Sequence, residues 1–188
     1  IIGSGFGALT AAHELRKHLP QAEITLIAPE PTLVYYSSLI WVPAGLRSGD
    51  DLRVDVRDFL AAQDIRFHQG RVTGLNDGVR VTLTEAGAEI PNEGLVIGSG
   101  GRFLQKLPGI EHAITICAGI ESAKRLRDRL RAMDGGTIAV GFSGNPKEPA
   151  AVRGGPMFEV LFGLDTQLRR EGRRERFKLV FFNPAKRP

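Results

Sequence analysis

The chain has 188 residues, 42% of them hydrophobic and 24% charged. A chain of this size buries roughly 70% of its unfolded surface, which excludes a disordered tail, a collagen-like fibre and a coiled coil. Twenty-five Lys and Arg against 21 Asp and Glu leave a formal charge of +4, a mild basic excess, and no stretch approaches the roughly 18 to 20 continuous apolar residues that a membrane span requires. The single cysteine, Cys117, excludes an internal disulfide or a CxxC metal knuckle and fits a reducing compartment.

In chain order, Ile1-Ile2 reads as a buried strand leading into Gly3-Ser4-Gly5-Phe6-Gly7-Ala8. A helix follows with Leu9, Ala12, Leu15 and Leu19 on one face, ended by Pro20. Glu23 to Ala28 is a β-rich apolar run, Pro29 to Leu46 is irregular and aromatic-rich, and Asp55 to Ala62 is predicted as a short helix. Ile65 to Phe67 and Val72 read as strand segments. Val79 to Thr84 alternates strictly and places Val79, Val81 and Leu83 on one face. Gly94 to Ile97 is a short strand running into Gly98-Ser99-Gly100-Gly101. A helix over Ile120 to Leu130 with a basic outer face, a strand over Thr137 to Phe142, a helix over Met157 to Arg170 and a strand over Phe177 to Phe182 complete the chain. The fold class expected is α/β: two Rossmann-like units on separate sheets, 1–112 and 113–188, with a β-meander completing the first. Both ends open onto apolar strand sequence, so a piece of a longer protein is expected.

The opening motif is G-x-G-x-x-A after an apolar strand and before an amphipathic helix, the context in which it binds a dinucleotide. Gly3 permits the tight turn, Gly5 lets a pyrophosphate approach the backbone, and Gly7 and Ala8 are small enough for close helix–strand packing. The helix start then offers unpaired N–H groups and a partial positive charge to phosphate. A carboxylate for the ribose belongs at the end of the second strand. Ala28 holds that place, so Glu30, the nearest acid beyond the strand, is the candidate. The second glycine run after a strand, together with the meander, suggests a dinucleotide held from two sides and favours FAD over NAD.

At these residues the sequence resembles the FAD-dependent pyridine nucleotide–disulfide oxidoreductases. IIGSGFGALTAAHEL is similar to their FAD fingerprint and GLVIGSG to their second FAD motif. GRVTGL, Gly70 to Leu75, is similar to the segment whose valine meets the adenine. Gly154 to Pro184 and Ile114 to Leu126 resemble the subgroup of sulfide:quinone reductases and flavocytochrome c sulfide dehydrogenases, with type II NADH dehydrogenases as close relatives. The resemblance implies FAD bound by Gly3, Gly5, Phe6, Gly7, Ala8, Glu30, Ser38, Val72, Ser99 and Gly100. It implies electron flow from a small donor through flavin to a quinone-like acceptor. The basic runs Lys124 to Arg131 and Arg169 to Arg176 are interleaved with Asp128, Glu171 and Glu175, so they read as solvated faces and no nucleic-acid partner is expected. Placement would be cytoplasmic or peripheral on the inner membrane face, with membrane contact through a C-terminal region outside this chain.

Two departures set the expectations for chemistry. The sulfide enzymes carry a redox cysteine before the G-P-x-x-E helix, where this chain has Arg153; Cys117 matches another family cysteine and is the catalytic candidate. After the strand ending at Phe142, Ser143 to Lys147 lacks G-x-G-x-x-G spacing, and Pro146 and Pro149 interrupt it, so weak NAD(P)H affinity is expected. An NAD(P)-dependent dehydrogenase using the first motif and an inert dinucleotide-binding module remain the alternatives. A serine hydrolase at Gly141 to Asn145 is disfavoured, because all four histidines precede Ser143. Tyr35, Tyr36 and Trp41 are candidates for walling a flavin. The histidines have no metal-site spacing.

Overall fold

The computed structural model describes residues 1–101, 108–144 and 154–184. It divides into two compact units, Ile1–Val34 with Arg53–Arg102 and Tyr35–Leu52 with Phe103–Pro188. Packing therefore groups residues 35–52 with the later half, whereas the division expected at residue 112 follows the cofactor motifs.

The first unit is a Rossmann-like α/β layer. Strand β1 (Ile24–Ala28) runs parallel to β4 (Ile65–Gln69), in register from Ile24 opposite Ile65 to Ala28 opposite Gln69. On the other side of β1, Ile2 bridges Ile27 and also Ile97, both in parallel. The Ile27 N–H donates to the Ile1 carbonyl and the Gly3 N–H to the Ile27 carbonyl, each at 2.8 Å. Beyond, the Ile2 N–H donates to Val96 and the Gly98 N–H to Ile2, again at 2.8 Å. Four parallel segments thus lie in the order β4, β1, Ile2, Ile97. The Ile1-Ile2 segment and the short strand expected over Gly94 to Ile97 supply one bridging residue each, Ile2 and Ile97, and Gly3 then takes the chain out of the sheet at φ +109°.

Helix α1 (Phe6–His18) buries Ala8 and Ala12 completely. Small side chains bring it onto the sheet; Leu9 and Leu15 pack at the flank, and Leu19, expected on the buried face, is 53% exposed beyond the helix end. The core beneath it holds Leu26, Ala28, Val56, Leu60 and Ile65. Leu26 is fully buried, which is worth about 2 kcal/mol relative to leaving it in water.

Between β1 and β4, β2 (Thr32–Val34) pairs antiparallel with β3 (Arg53–Asp55), and α2 (Arg57–Ala62) follows. The helix expected from Asp55 therefore begins two residues later. The Asp55 carboxylate accepts the Arg57 N–H at 2.9 Å and so closes the turn ahead of the helix. The Arg57 side chain first, then that N–H, hold its carboxyl down to about 2.

The meander is β5 (Val72–Asn76), β6 (Val81–Thr84) and β7 (Glu89–Pro91), all antiparallel. Here the alternation misleads. Thr82 and Thr84 are the buried residues, Val81 and Leu83 are half-buried, and Val79 is 52% exposed. Asp77, Gly78 and Val79 all have φ between +50° and +69°, so the turn between β5 and β6 takes Val79 out of the strand. Thr84 tolerates burial because its Oγ1 accepts the Ala88 N–H at 3.1 Å.

In the second unit, β8 (Gly136–Gly141) and β9 (Phe177–Phe182) are parallel and joined through α4 (Gly155–Arg170), which buries Val160, Leu164 and Leu168 at four-residue spacing. Helix α3 (Ile120–Arg131) buries Ile120, Ser122, Ala123 and Leu130. The segment over Tyr36–Trp41, expected to be irregular, is a 3-10 turn packed against α3 and α4.

Candidate functional site

The glycines of the opening turn divide by what surrounds them. A side chain on Gly3 would overlap the Gly98 carbonyl, and one on Gly98 would lie 2.8–2.9 Å from Ala8 Cβ, Cα and N. These three residues are packed backbone to backbone, so Gly3 and Gly98 are required by close approach, and Ala8 by the same contact. Gly5 and Gly7 differ: a Cβ on either meets nothing within 4 Å. Gly5 has φ −81° and ψ 177°, an extended backbone that any residue adopts. Neither torsion nor internal packing demands glycine there. Of the two small residues expected to allow helix–strand packing, Ala8 does so and Gly7 faces open space.

The open space lies at the start of α1, which begins directly after the turn, has no side-chain cap and carries no acid in its first turn. The first-turn N–H groups of a helix have no intrahelical partner, and its dipole favours an anion at this end. Phe6 opens the helix and is 51% exposed. From the neighbouring parallel segment comes the second glycine turn. Ser99 is exposed, Gly100 has φ +79°, and Gly100 and Gly101 also face open space. The residues present fit a dinucleotide: a side-chain-free cradle at a helix N-terminus, at the carboxyl ends of parallel strands, where such ligands sit in open α/β sheets.

Glu30 is fastened to this turn from both sides. The Gly3 N–H donates to Ile27, ahead of it, and Ser4 Oγ donates to the Thr32 carbonyl at 2.8 Å, behind it. The loop Pro29-Glu30-Pro31 is thereby held against the glycine turn, and Glu30 Oε2 lies 3.4 Å from Arg53 Nη1. Val72 is half-buried at the start of β5, and the Gly70 N–H ties that approach to Ala28 at 2.9 Å. The first unit thus collects Gly3, Gly5, Phe6, Gly7, Ala8, Glu30, Val72, Ser99 and Gly100.

Ser38 and Cys117 belong to the second unit. Ser38 is buried in the Tyr36–Trp41 turn. Cys117 is half-buried in a 3-10 turn over Ile116–Ala118, and its N–H donates to Thr115 Oγ1 at 3.2 Å. The two turns pack on each other. The stretch 145–153, with Pro146, Lys147, Pro149 and Arg153, lies outside the described residues.

Ser4 and Arg53 are the residues that sequence reasoning left without a role. Ser4 stood inside the motif, but its bond to Thr32 depends on where β2 runs. Arg53 carries no sequence signal, because only the β2–β3 pairing brings it to Glu30. Among the described residues no group of His, Cys, Asp and Glu is arranged to hold a metal, and no helix is long and apolar enough to cross a membrane. The basic faces are laced with acids, as in Lys124–Glu121, Arg127–Asp128 and Arg169–Asp165.

Residues 1–155 match the family model described as pyridine nucleotide-disulphide oxidoreductase. The sulfide-quinone reductase of Aquifex aeolicus is 24% identical over 183 residues, covering 96% of this chain and 41% of the relative. The type II NADH:quinone oxidoreductase NdhA of Mycobacterium tuberculosis is 30% identical over 137 residues, covering 69% of this chain and 28% of the relative. Among solved structures, the sulfide:quinone oxidoreductase of Aquifex aeolicus has a TM-score of 0.84 at 25% identity, over 97% of this chain and 42% of that one. A NAD-dependent persulfide reductase from A. fulgidus shares the fold, with a TM-score of 0.65 at 19% identity, over 96% of this chain and 38% of that one. The chain spans about two fifths of the length of the sulfide-quinone reductase it matches.

Proposed function

The chain belongs to the pyridine nucleotide-disulphide oxidoreductase family, and from that premise we propose that it binds FAD and serves a flavin-dependent oxidoreductase. That enzyme would pass electrons from a small donor to a quinone-like acceptor. The observation that carries the proposal is the open space before Gly5 and Gly7 at the start of α1. Family members are FAD-dependent oxidoreductases, and FAD supplies reversible two-electron chemistry while the protein supplies binding and orientation.

In this reading Gly5, Gly7 and the first turn of α1 receive the pyrophosphate. Glu30 accepts from the adenosine ribose, Val72 lies toward the adenine, and Ser99 and Gly100 close the second side. Ser38 and Cys117, both in the second unit, are the cofactor-binding and redox-thiol candidates that the sequence resemblance names. A quinone-like acceptor is supported by the names of two relatives, one a sulfide-quinone reductase and one an NADH:quinone oxidoreductase. Peripheral contact with the inner membrane face would come from sequence outside this chain.

The test is the absorption spectrum of the full-length protein, followed by identification of the flavin released on denaturation. FAD at one per chain is the expected result. A colourless protein that does not take up added FAD would overturn the proposal.

A further inference from the structure

The strand end where a ribose-binding acid belongs holds Ala28, which is 2% exposed and has no polar side-chain atom. The next acid, Glu30, lies between Pro29 and Pro31. Neither proline has a main-chain N–H to donate to the carboxylate. Among the described residues, its side-chain partner is Arg53, with Nη1 at 3.4 Å. Its position is set by the antiparallel pairing of β2 with β3, which puts Arg53 opposite Val34, and by the Val56 N–H donating to the Pro31 carbonyl at 3.0 Å.

The Arg53 and Glu30 side chains are 43% and 64% exposed. A pair so exposed contributes about 0–1 kcal/mol to stability, so folding alone gives little reason for it. The contact engages Oε2 of Glu30 and leaves Oε1 to accept from another donor. The loop that carries the carboxylate is fixed at both ends to the glycine turn, by the Gly3 and Ser4 bonds.

We propose that Arg53 is a positioning residue for the cofactor's adenosine end, holding Glu30 so that its second oxygen accepts from the ribose hydroxyls. The inference rests on the FAD reading above. Arg53 replaces, across a two-stranded ribbon, the orientation that a carboxylate on the strand end would receive from the sheet. Arginine suits the role because its guanidinium keeps its charge and presents donors in a rigid plane.

The test uses the full-length protein freed of flavin and titrated with FAD, with binding followed by flavin fluorescence. The variants are Arg53→Met, Arg53→Lys, Glu30→Gln and the double variant, each checked for folding by circular dichroism. Arg53→Met is expected to weaken FAD about tenfold, the scale of one charge-assisted hydrogen bond. Arg53→Lys recovers part of that loss, and Arg53→Met has little further effect once Glu30 is Gln. An FAD analogue lacking the 2′-hydroxyl of the adenosine ribose supplies a readout that a merely structural role would not move. The wild type discriminates against it, and Arg53→Met binds both forms alike. Wild-type affinity in Arg53→Met overturns the inference, as does a full loss in the Glu30→Gln background or undiminished discrimination against the analogue. A wild-type protein that binds no FAD overturns the flavin reading and this inference with it, whereas the other failures leave the flavin reading standing.

Discussion

Gly5 and Gly98 are both glycines of dinucleotide motifs, yet the structure gives them opposite reasons to be glycine. Around Gly5 there is room and an ordinary extended backbone. Gly5→Val is therefore expected to fold with near-wild-type stability and to lose FAD, because its side chain fills the space a pyrophosphate requires. Gly98→Ala is expected to do the reverse. Its Cβ would stand 2.8 Å from that of Ala8, so helix and strand must separate, at a cost of about 1–3 kcal/mol. Urea unfolding and flavin occupancy, measured on both variants, check the contrast; an unfolded Gly5→Val or a fully stable Gly98→Ala would contradict it. The motif made the turn legible in sequence, but not this division of labour, which depends on what lies opposite each residue. Asp165 of α4 offers a pH test. Hydrogen bonds from Arg169 first and Arg174 second hold its carboxyl below the ordinary value of 3.8. A lowered folded-state value means that its stabilising contribution is fully present above 3.8 and is lost as the pH falls through the folded value. The stability advantage of wild type over Asp165→Asn should therefore be constant from pH 7 to 5 and shrink below pH 3.8. An advantage that grows on acidification would refute this.

Among the elements, helices and parallel strands were more legible than the meander. The 3.6-residue periodicity of α4 and the apolar run of β9 are stated locally in the sequence, and β9 spans Phe177–Phe182 as predicted. The β5–β6 turn is not stated locally, because a left-handed backbone at Val79 overrides its β-branched preference. What joins α1, α2 and β1 also escaped sequence reading. Arg16 is an unremarkable cation on a helix face, yet its guanidinium donates to four carbonyls. Nε reaches Gln63 at 2.8 Å, Nη1 reaches Pro20 and Ala22 at 2.8 and 2.9 Å, and Nη2 reaches Asp64 at 2.7 Å. Its side chain is 16% exposed. Three chain segments, the end of α1, the approach to β1 and the end of α2, are thereby tied at one point. Arg16→Ala is expected to cost about 2–4 kcal/mol, since charged-group hydrogen bonds are worth about 1.5–3 each and water reaches some of the freed carbonyls. Arg16→Lys should recover little, because a point charge cannot span the four acceptors. Arg66→Ala, which removes only an exposed pair with Glu23, is the control at about 0.5 kcal/mol or less. Urea midpoints decide the matter, and equal effects for Arg16 and Arg66 would refute the staple.

Across the whole molecule, the two strand–helix–strand units share a topology but not a turn. In the first, Gly3 leaves the sheet and α1 begins at Phe6, so the helix start lies directly beyond the strand. In the second, β8 ends at Gly141 and α4 begins only at Gly155, with residues 142–154 between them. Gly141 occupies the place of a first motif glycine and, like Gly3, is required by close approach, since a side chain there would strike the Phe182 carbonyl. The residue ahead of α4, Gly154, is likewise accounted for by packing: a Cβ on it would lie 2.8 Å from the Phe142 ring. Pro156 in the first turn of α4 removes one of the N–H groups a phosphate would use. The glycines that face open space in the first unit have no counterpart at this helix start except Gly155. Among the described residues, a second dinucleotide would thus find no direct strand-to-helix turn and one N–H fewer at the helix start. Rapid flavin reduction by NADH is therefore not expected, although one relative is an NADH:quinone oxidoreductase. Reduction by sulfide through a disulfide relay within these residues is not expected either, since Cys117 is the only thiol. The measurement is anaerobic stopped-flow bleaching of the flavin in the full-length protein. Slow or absent bleaching at micromolar NADH is the expected result. Fast bleaching would show that the second unit binds the nicotinamide nucleotide despite its long strand-to-helix connection. Fast bleaching by sulfide that disappears in Cys117→Ser would instead assign the chemistry to that thiol, paired with a partner beyond this chain.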